Sequence, residues 1–196
     1  MERKEFQEEE NVVELIAGHY REILKLIGED PDREGLIKTP VRAAKALVDI
    51  TAGYRADALQ IARKAIFEHA GSNMIIVKDI EFYSMCEHHI LPFFGSVSIG
   101  YIPKGKMIGL SKLARIVDVF ARRLQVQARL TAEVCRLVSE ALPNDGVIVS
   151  CTAQHLCMKM RGVEKQTSST TTFDYTGRFA EDYSLREEFL RLLGCQ

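Results

Sequence analysis

The chain has 196 residues, 46% of them hydrophobic, and 26 basic against 27 acidic side chains leave a formal charge of −1. That length and apolar fraction suit one globular domain with a real core and argue against a second full domain; the balanced charge offers no polyanion-binding surface, and no apolar run reaches membrane-spanning length. The 5 cysteines form no dense disulfide framework, and the charged segment Met1 to Glu10 lacks the apolar stretch of a secretory signal, so a reducing cytoplasm is expected.

Along the chain, Asn11 to Ile27 repeats apolar residues at helical steps (Val12, Leu15, Ile16, Tyr20, Ile23, Leu24, Ile27), and Gly28 and Pro31 close the helix. Thr39-Pro40 reads as an N-cap followed by a first-turn proline, with helix through Val41 to Thr51. A third helix is expected over Asp57 to Phe67. Residues 1–70 thus read as an N-terminal helical extension, and 71–196 as the remaining body of one integrated globular unit. Ser72-Asn73 marks a turn before Met74 to Val77, and Glu81 to Met85 is a separate aromatic-bearing stretch. Phe94 to Ile102 alternates as a strand, with Val97 and Ile99 facing away from Ser96 and Ser98.

After a turn at Pro103 to Gly105, helices are expected over Leu110 to about Arg123 and Val126 to Leu142. Pro143 to Gly146 breaks the second helix. Val147 to Thr152 is a strand, Met158 to Val163 extends it or begins its partner, and threonine-rich Ser168 to Phe173 is a last strand. Ser184 to Leu193 returns to helix. Cys135 and Cys195 sit among helix-like residues and Cys151 on a strand alternation, so all three read as core or half-buried thiols. The order gives an α+β domain with an antiparallel sheet.

The chemistry concentrates in Cys86-Glu87-His88-His89 and, far downstream, His155-Leu156-Cys157. Cys86 and His89, three apart, can converge on one ion, and Cys157 supplies a third soft ligand. Three such ligands with an open fourth position describe a catalytic zinc site; a structural Cys2His2 site using a fourth side chain is the alternative. His155, two before Cys157, faces the same side if the segment is a strand, and His88 points elsewhere than its neighbour. Two histidines beside a metal can move protons near neutral pH.

Basic residues are more scattered. Ser111 and Lys112 lie near a helix start, where free amides favour anions, with Arg115 on nearly the same face. Arg161 follows Cys157 by four, and Arg42 follows Pro40. Each alone reads as a solvated cation; together, around a metal, they suit a phosphorylated substrate. There is no Gly-rich run ending in Gly-Lys-Ser/Thr, so a nucleotide would be held without a P-loop. Arg122-Arg123 lacks an aromatic platform and gives no reason to expect nucleic-acid binding.

At Ser84 to His89, Tyr101-Ile102-Pro103, Ile108 to Arg115, Arg122 to Gln127, His155 to Met158, Met160 to Val163 and Thr39 to Arg42, the chain resembles the GTP cyclohydrolase I family. The resemblance spans roughly residues 10 to 193, with unusual blocks in the expected order. It implies a tunnelling fold: an antiparallel sheet with helices on one face, closed into a barrel with other subunits. It further implies a homodecamer of two pentamers with active sites between subunits. Cys86, His89 and Cys157 match the family's zinc ligands, and His88 and His155 its proton-transfer residues. Arg42, Ser111, Lys112, Arg115 and Arg161 match positions at or near the triphosphate, and Gln127 belongs with the substrate-binding residues. The implied reaction converts GTP and water to 7,8-dihydroneopterin triphosphate and formate. Water adds at guanine C8, the imidazole ring opens, C8 leaves as formate, and the rearranged ribose closes the pterin ring.

One position departs from the pattern. Gln125-Val126-Gln127 is followed by Ala128, where family members usually carry the glutamate that grips guanine N1 and N2. A methyl group cannot accept those hydrogens. Weakened GTP turnover, a paralogue acting on another purine nucleotide, and a non-catalytic zinc-stabilised interaction protein are the readings left open.

Overall fold

Apolar residues at three- and four-residue steps build two helices at the start of the computed structural model, which describes residues 2–194; Cys195 lies outside the described residues. The chain divides into two compact units, one up to Ala52 and one from Gly53. In the first, α1 (Glu2–Leu26) packs along α2 (Thr39–Ile50). Lys38 takes the cap position of α2 and Thr39 opens the helix, with Pro40 in the first turn, where a missing N–H removes no helical bond.

The second unit runs α3 (Ala58–Arg63), β1 (Ile66–Glu68), β2 (Ile75–Cys86), β3 (Pro92–Pro103), β4 (Lys106–Ile108), α4 (Leu110–Ala121), β5 (Leu124–Gln125), α5 (Gln127–Ala141), β6 (Asn144–His155), the one-turn α6 (Leu156–Lys159), β7 (Thr170–Tyr175), α7 (Arg178–Glu181) and α8 (Tyr183–Leu193). A 5-stranded sheet has the order β5-β2-β3-β6-β7. All its neighbours are antiparallel except β5, which runs parallel to the end of β2. β1 and β4 form a separate small ribbon. The fold is α+β, as its sequence order implies.

Besides the cap of α2, which falls on Lys38 and not on Thr39, four local expectations change. The third helix stops at Arg63 instead of reaching Phe67, because Ile66 and Phe67 pair with Ile108 and Met107; a long-range ladder overrides local helical steps. Its start is as read: Asp57 accepts from Gln60 N at 2.9 Å. The two stretches before the metal motif are one strand, β2, interrupted by a bulge between Val77 and Ile80 where Asp79 has φ 56°. β6 begins already at Asn144, whose amide donates to Ser139 O and Leu142 O at the end of α5, so the break is sharper than four turn residues require. Residues 158–163 are not strand. Met160 N bonds Leu156 O at 3.0 Å, closing α6, and Gly162 turns the chain at φ 75°.

The core lies between the sheet and α4 with α5. Phe93, Val97, Ile99 and Tyr101 of β3 and Val147, Val149, Cys151 and Ala153 of β6 point to it at period two. From the helices come Leu113, Ile116 and Val117, and Leu130, Val134 and Val138. Phe82 meets Phe93 edge to face, with centroids 5.8 Å apart. Gly95 interrupts the β3 series because a Cβ there would stand 1.9 Å from Thr152 O. On the opposite face of β6, Ile148 joins Ile102, Phe179 and Phe189, so α7 and α8 seat a second small cluster. Cys135 and Cys151 are buried thiols, as expected, and burial pushes both up to about 12. Among the described residues no helix is long and apolar enough to cross a membrane.

Candidate metal centre

Strand register closes the long sequence gap between the two ligand motifs. β3 lies between β2 and β6 and pairs with both: Pro92 sits opposite Met85, and Phe93 opposite His155. The end of β2 and the end of β6 therefore meet at one edge of the sheet. Cys86 closes β2, and a tight turn follows, in which His89 N and Ile90 N both bond Cys86 O, at 3.3 and 2.8 Å. Cys86 N donates to Leu91 O at 2.9 Å, fixing the loop base. From the other side, α6 begins directly after His155 and turns Cys157 back toward the loop.

The result is a compact ligand set. One ligand atom each from Cys86, His89 and Cys157 lies within 4.8 Å of the others. Two thiols and an imidazole suit zinc by donor type. The electrostatics agree. Burial pushes the Cys157 thiol up, the neighbouring Cys86 pushes it further, and Arg161 acts in the opposite sense. Cys157 therefore resists ionisation, and a divalent ion at the site would reverse that balance. Ser84, two before Cys86 on the same strand face, carries a buried hydroxyl without a hydrogen-bond partner in the protein.

The two remaining histidines differ in setting. His88 is exposed and its nitrogens do not join the ligand set, although Nδ1 lies 3.9 Å from Cys86 Sγ and Nε2 3.9 Å from Glu87 Oε1. His155 is half-buried and stacks flat on Phe93, with centroids 4.7 Å apart and planes 3° apart. Burial holds its pKa below the ordinary imidazole value. Its Nε2 is 2.8 Å from Gln127 Oε1. Gln127 is itself buried, and its Nε2 donates to Cys151 O and Thr170 O, both at 2.9 Å.

α5 starts against this edge. Glu87 N donates to Gln125 O at 3.1 Å. Two residues into α5, Arg129 holds Glu87 through two bonds of 2.7 and 2.9 Å and keeps that carboxyl below its usual range. Ala128 lies between Gln127 and Arg129 and is exposed. Neither the Glu87–Arg129 pair nor the Phe93–His155 stack was legible in the sequence; each joins residues that no local spacing relates.

The predicted cations divide. Arg161 is close enough to Cys157 to act on its charge. Ser111, Lys112 and Arg115, on the first turns of α4, are not gathered with the ligands. Ile108, the last residue of β4 and two before the start of α4, donates its N–H to Tyr101 Oη at 3.3 Å, and Tyr101 pairs with Ile75 at the opposite end of β2 from Cys86. The 12 residues of β2 span about 35 Å at an ordinary strand rise. Arg42 lies on α2 in the first unit, exposed.

A family profile described as GTP cyclohydrolase I matches residues 16–194. The chain is 56% identical over 187 residues to GTP cyclohydrolase 1 of Porphyromonas gingivalis, covering 95% of this chain and 96% of that protein. The protein of the same name from Bacteroides fragilis is 51% identical over 181 residues, 92% of this chain and 93% of its own. That of Leptospira biflexa is 55% identical over 172 residues, 88% and 94%. With a profile matching nearly its whole described length and three zinc-type ligands gathered where the sheet ends meet, this chain belongs to the GTP cyclohydrolase I family of tunnelling-fold enzymes.

Proposed function

We propose that this chain is a zinc-dependent GTP cyclohydrolase I, converting GTP and water to 7,8-dihydroneopterin triphosphate and formate. The observation that carries the reading is the three-ligand set of Cys86, His89 and Cys157 beside a half-buried histidine. Zinc, held by those three side chains, supplies Lewis acidity that makes water a nucleophile at neutral pH. The chain's own groups do the rest. His155, whose pKa burial lowers, accepts a proton from the attacking water and returns it to a purine nitrogen as the ring opens. His88, exposed at the rim of the same loop, exchanges protons with solvent. Arg161 places positive charge beside the ligands, where it orients the substrate.

The triphosphate requires more cations than one chain gathers here. Ser111, Lys112 and Arg115 sit toward the far end of the sheet, which supports a pocket completed by a second copy that brings its own α4 to the metal edge. The apolar residues Leu15, Leu26 and Ile27 of the first helix and its following turn are exposed, a pattern that suits further contacts between copies. A homodecamer of two pentamers, with Arg42 also contributing at the anion site, is the assembly we infer, in the cytoplasm.

A second reading is a paralogue acting on a different purine nucleotide. Ala128 favours it, because a methyl group stands where guanine N1 and N2 would be gripped. The deciding experiment measures zinc by elemental analysis and follows formate and pterin from GTP in the same preparation. Zinc-dependent release of both products is expected. Full activity in metal-free protein refutes the zinc reading, and zinc-dependent turnover of another purine nucleotide with none of GTP selects the paralogue.

A further inference from the structure

Gln127 has every hydrogen-bonding atom of its side chain assigned by its surroundings. Its side chain is buried, at 3% exposure. Cys151 O and Thr170 O, each 2.9 Å away, are carbonyl oxygens and can only accept, so the group facing them is the amide nitrogen. Thr172 Oγ1, at 3.3 Å, completes that side. The amide oxygen is thereby turned to His155 Nε2 at 2.8 Å, and an amide oxygen can only accept. His155 Nε2 must carry a hydrogen. Phe93, stacked 3° from parallel on the imidazole, restricts the ring's tilt.

Resting on the reading of His155 as a proton-transfer residue, we propose that Gln127 is a positioning residue: it pins His155 in the Nε2–H tautomer, so Nδ1 is the nitrogen that takes and returns the proton. Gln127 then acts on the reaction through the imidazole and not through a substrate contact of its own side chain. The clamp also links β6, β7 and the first turn of α5, because Cys151 belongs to β6, Thr170 to β7 and Gln127 opens α5. Thr131 adds to this tie: its Oγ1 is 2.6 Å from Thr172 Oγ1 and donates to Gln127 O at 2.9 Å. In this tautomer Nε2–H stays on the Gln127 bond throughout, and Nδ1 is the position that gains the proton released in the first step and gives it up in the next.

The test is a double-mutant cycle on the zinc-loaded full chain, with kcat for GTP, GTP affinity and zinc content measured for Gln127→Met, His155→Ala and the double variant. Gln127→Met is expected to lower kcat about 10- to 100-fold, the usual effect of removing a partner that fixes an imidazole's tautomer, with zinc content and GTP affinity unchanged. In the His155→Ala background the same change is expected to lower kcat no further, because its effect passes through the missing ring. An equal fold-loss in both backgrounds, or an unchanged kcat in Gln127→Met, overturns the proposal. An unaffected His155→Ala protein overturns instead the reading of His155 on which it rests. A measurement that needs no altered Gln127 runs beside these: the 15N spectrum of the histidine-labelled protein, with the His155 signals assigned by their loss in His155→Ala. A protonated Nε2 and a bare Nδ1 are expected, and the opposite tautomer overturns the proposal whatever the fate of the Gln127 variants.

Discussion

Restoring the family's usual residue at position 128 tests the guanine reading most directly. Ala128 occupies the first turn of α5, exposed, between a buried Gln127 and an Arg129 already engaged by Glu87. No acidic side chain stands in that turn, and Ala132, one turn on, cannot pair with a new carboxylate. Ala128→Glu therefore adds a free carboxylate near a helix N-terminus, worth about 0.3–1 kcal/mol of stability through the helix dipole. For a chain of this length that is a rise in Tm of at most about 4 °C. The effect on function is expected to be far larger. A carboxylate accepting both N1–H and N2–H in a pocket closed from water contributes about 2–5 kcal/mol, or about 30- to 4,000-fold in GTP recognition. The two chains are compared with GTP, following formate and pterin, with nucleotide affinity measured separately by calorimetry. A gain confined to Tm, with equal affinity and equal product formation, would refute the placement of position 128 against guanine. Inactivity of both toward GTP beside turnover of another purine nucleotide would favour the paralogue.

Three further outcomes follow from the site. Cys157→Ser is expected to lose zinc readily to a chelator, whereas His155→Ala retains it and loses turnover; normal zinc retention in Cys157→Ser, or equal zinc loss in both, contradicts the assigned roles. In alkylation mapped by mass spectrometry at pH 8, Cys135 and Cys151, pushed up to about 12 by burial, are expected to stay unmodified with or without metal, since the thiolate is the reactive form. Cys86 and Cys157 are expected to react only after chelation, and protection that survives chelation argues against their holding the ion. By sedimentation equilibrium the active species is expected to be a decamer, with activity falling on dilution; a fully active monomer contradicts a pocket completed by a second copy.

Much of the chemistry was open to sequence reasoning because it depends on residue type and short spacing. Cys86 and His89 are three apart, so any tight turn gives them a chance to converge, and soft donors point to zinc by residue type alone. The helices of residues 110–121 and 127–141 and the strand alternation around Val97 and Ile99 follow from periodicity, which a buried face imposes locally. The failures were local patterns overruled by distant partners. Ile66-Phe67 continued a helical rhythm until the ladder to Met107-Ile108 claimed it, and the bulge at Asp79 disguised one long strand as two.

The tertiary structure alone decided how the site is wired. Cys157 reaches Cys86 because β3 pairs with both β2 and β6 and aligns their ends, a register no spacing encodes. Gln127, which by sequence belongs with the substrate-binding residues, has its amide taken up by Cys151, Thr170 and His155. Ser111 and Lys112 stand toward the other end of the sheet because α4 begins there, and Arg115 follows one turn along the helix. Donor chemistry is a property of single side chains and survives in the sequence. Proximity is a property of the closed sheet, and only folding sets it.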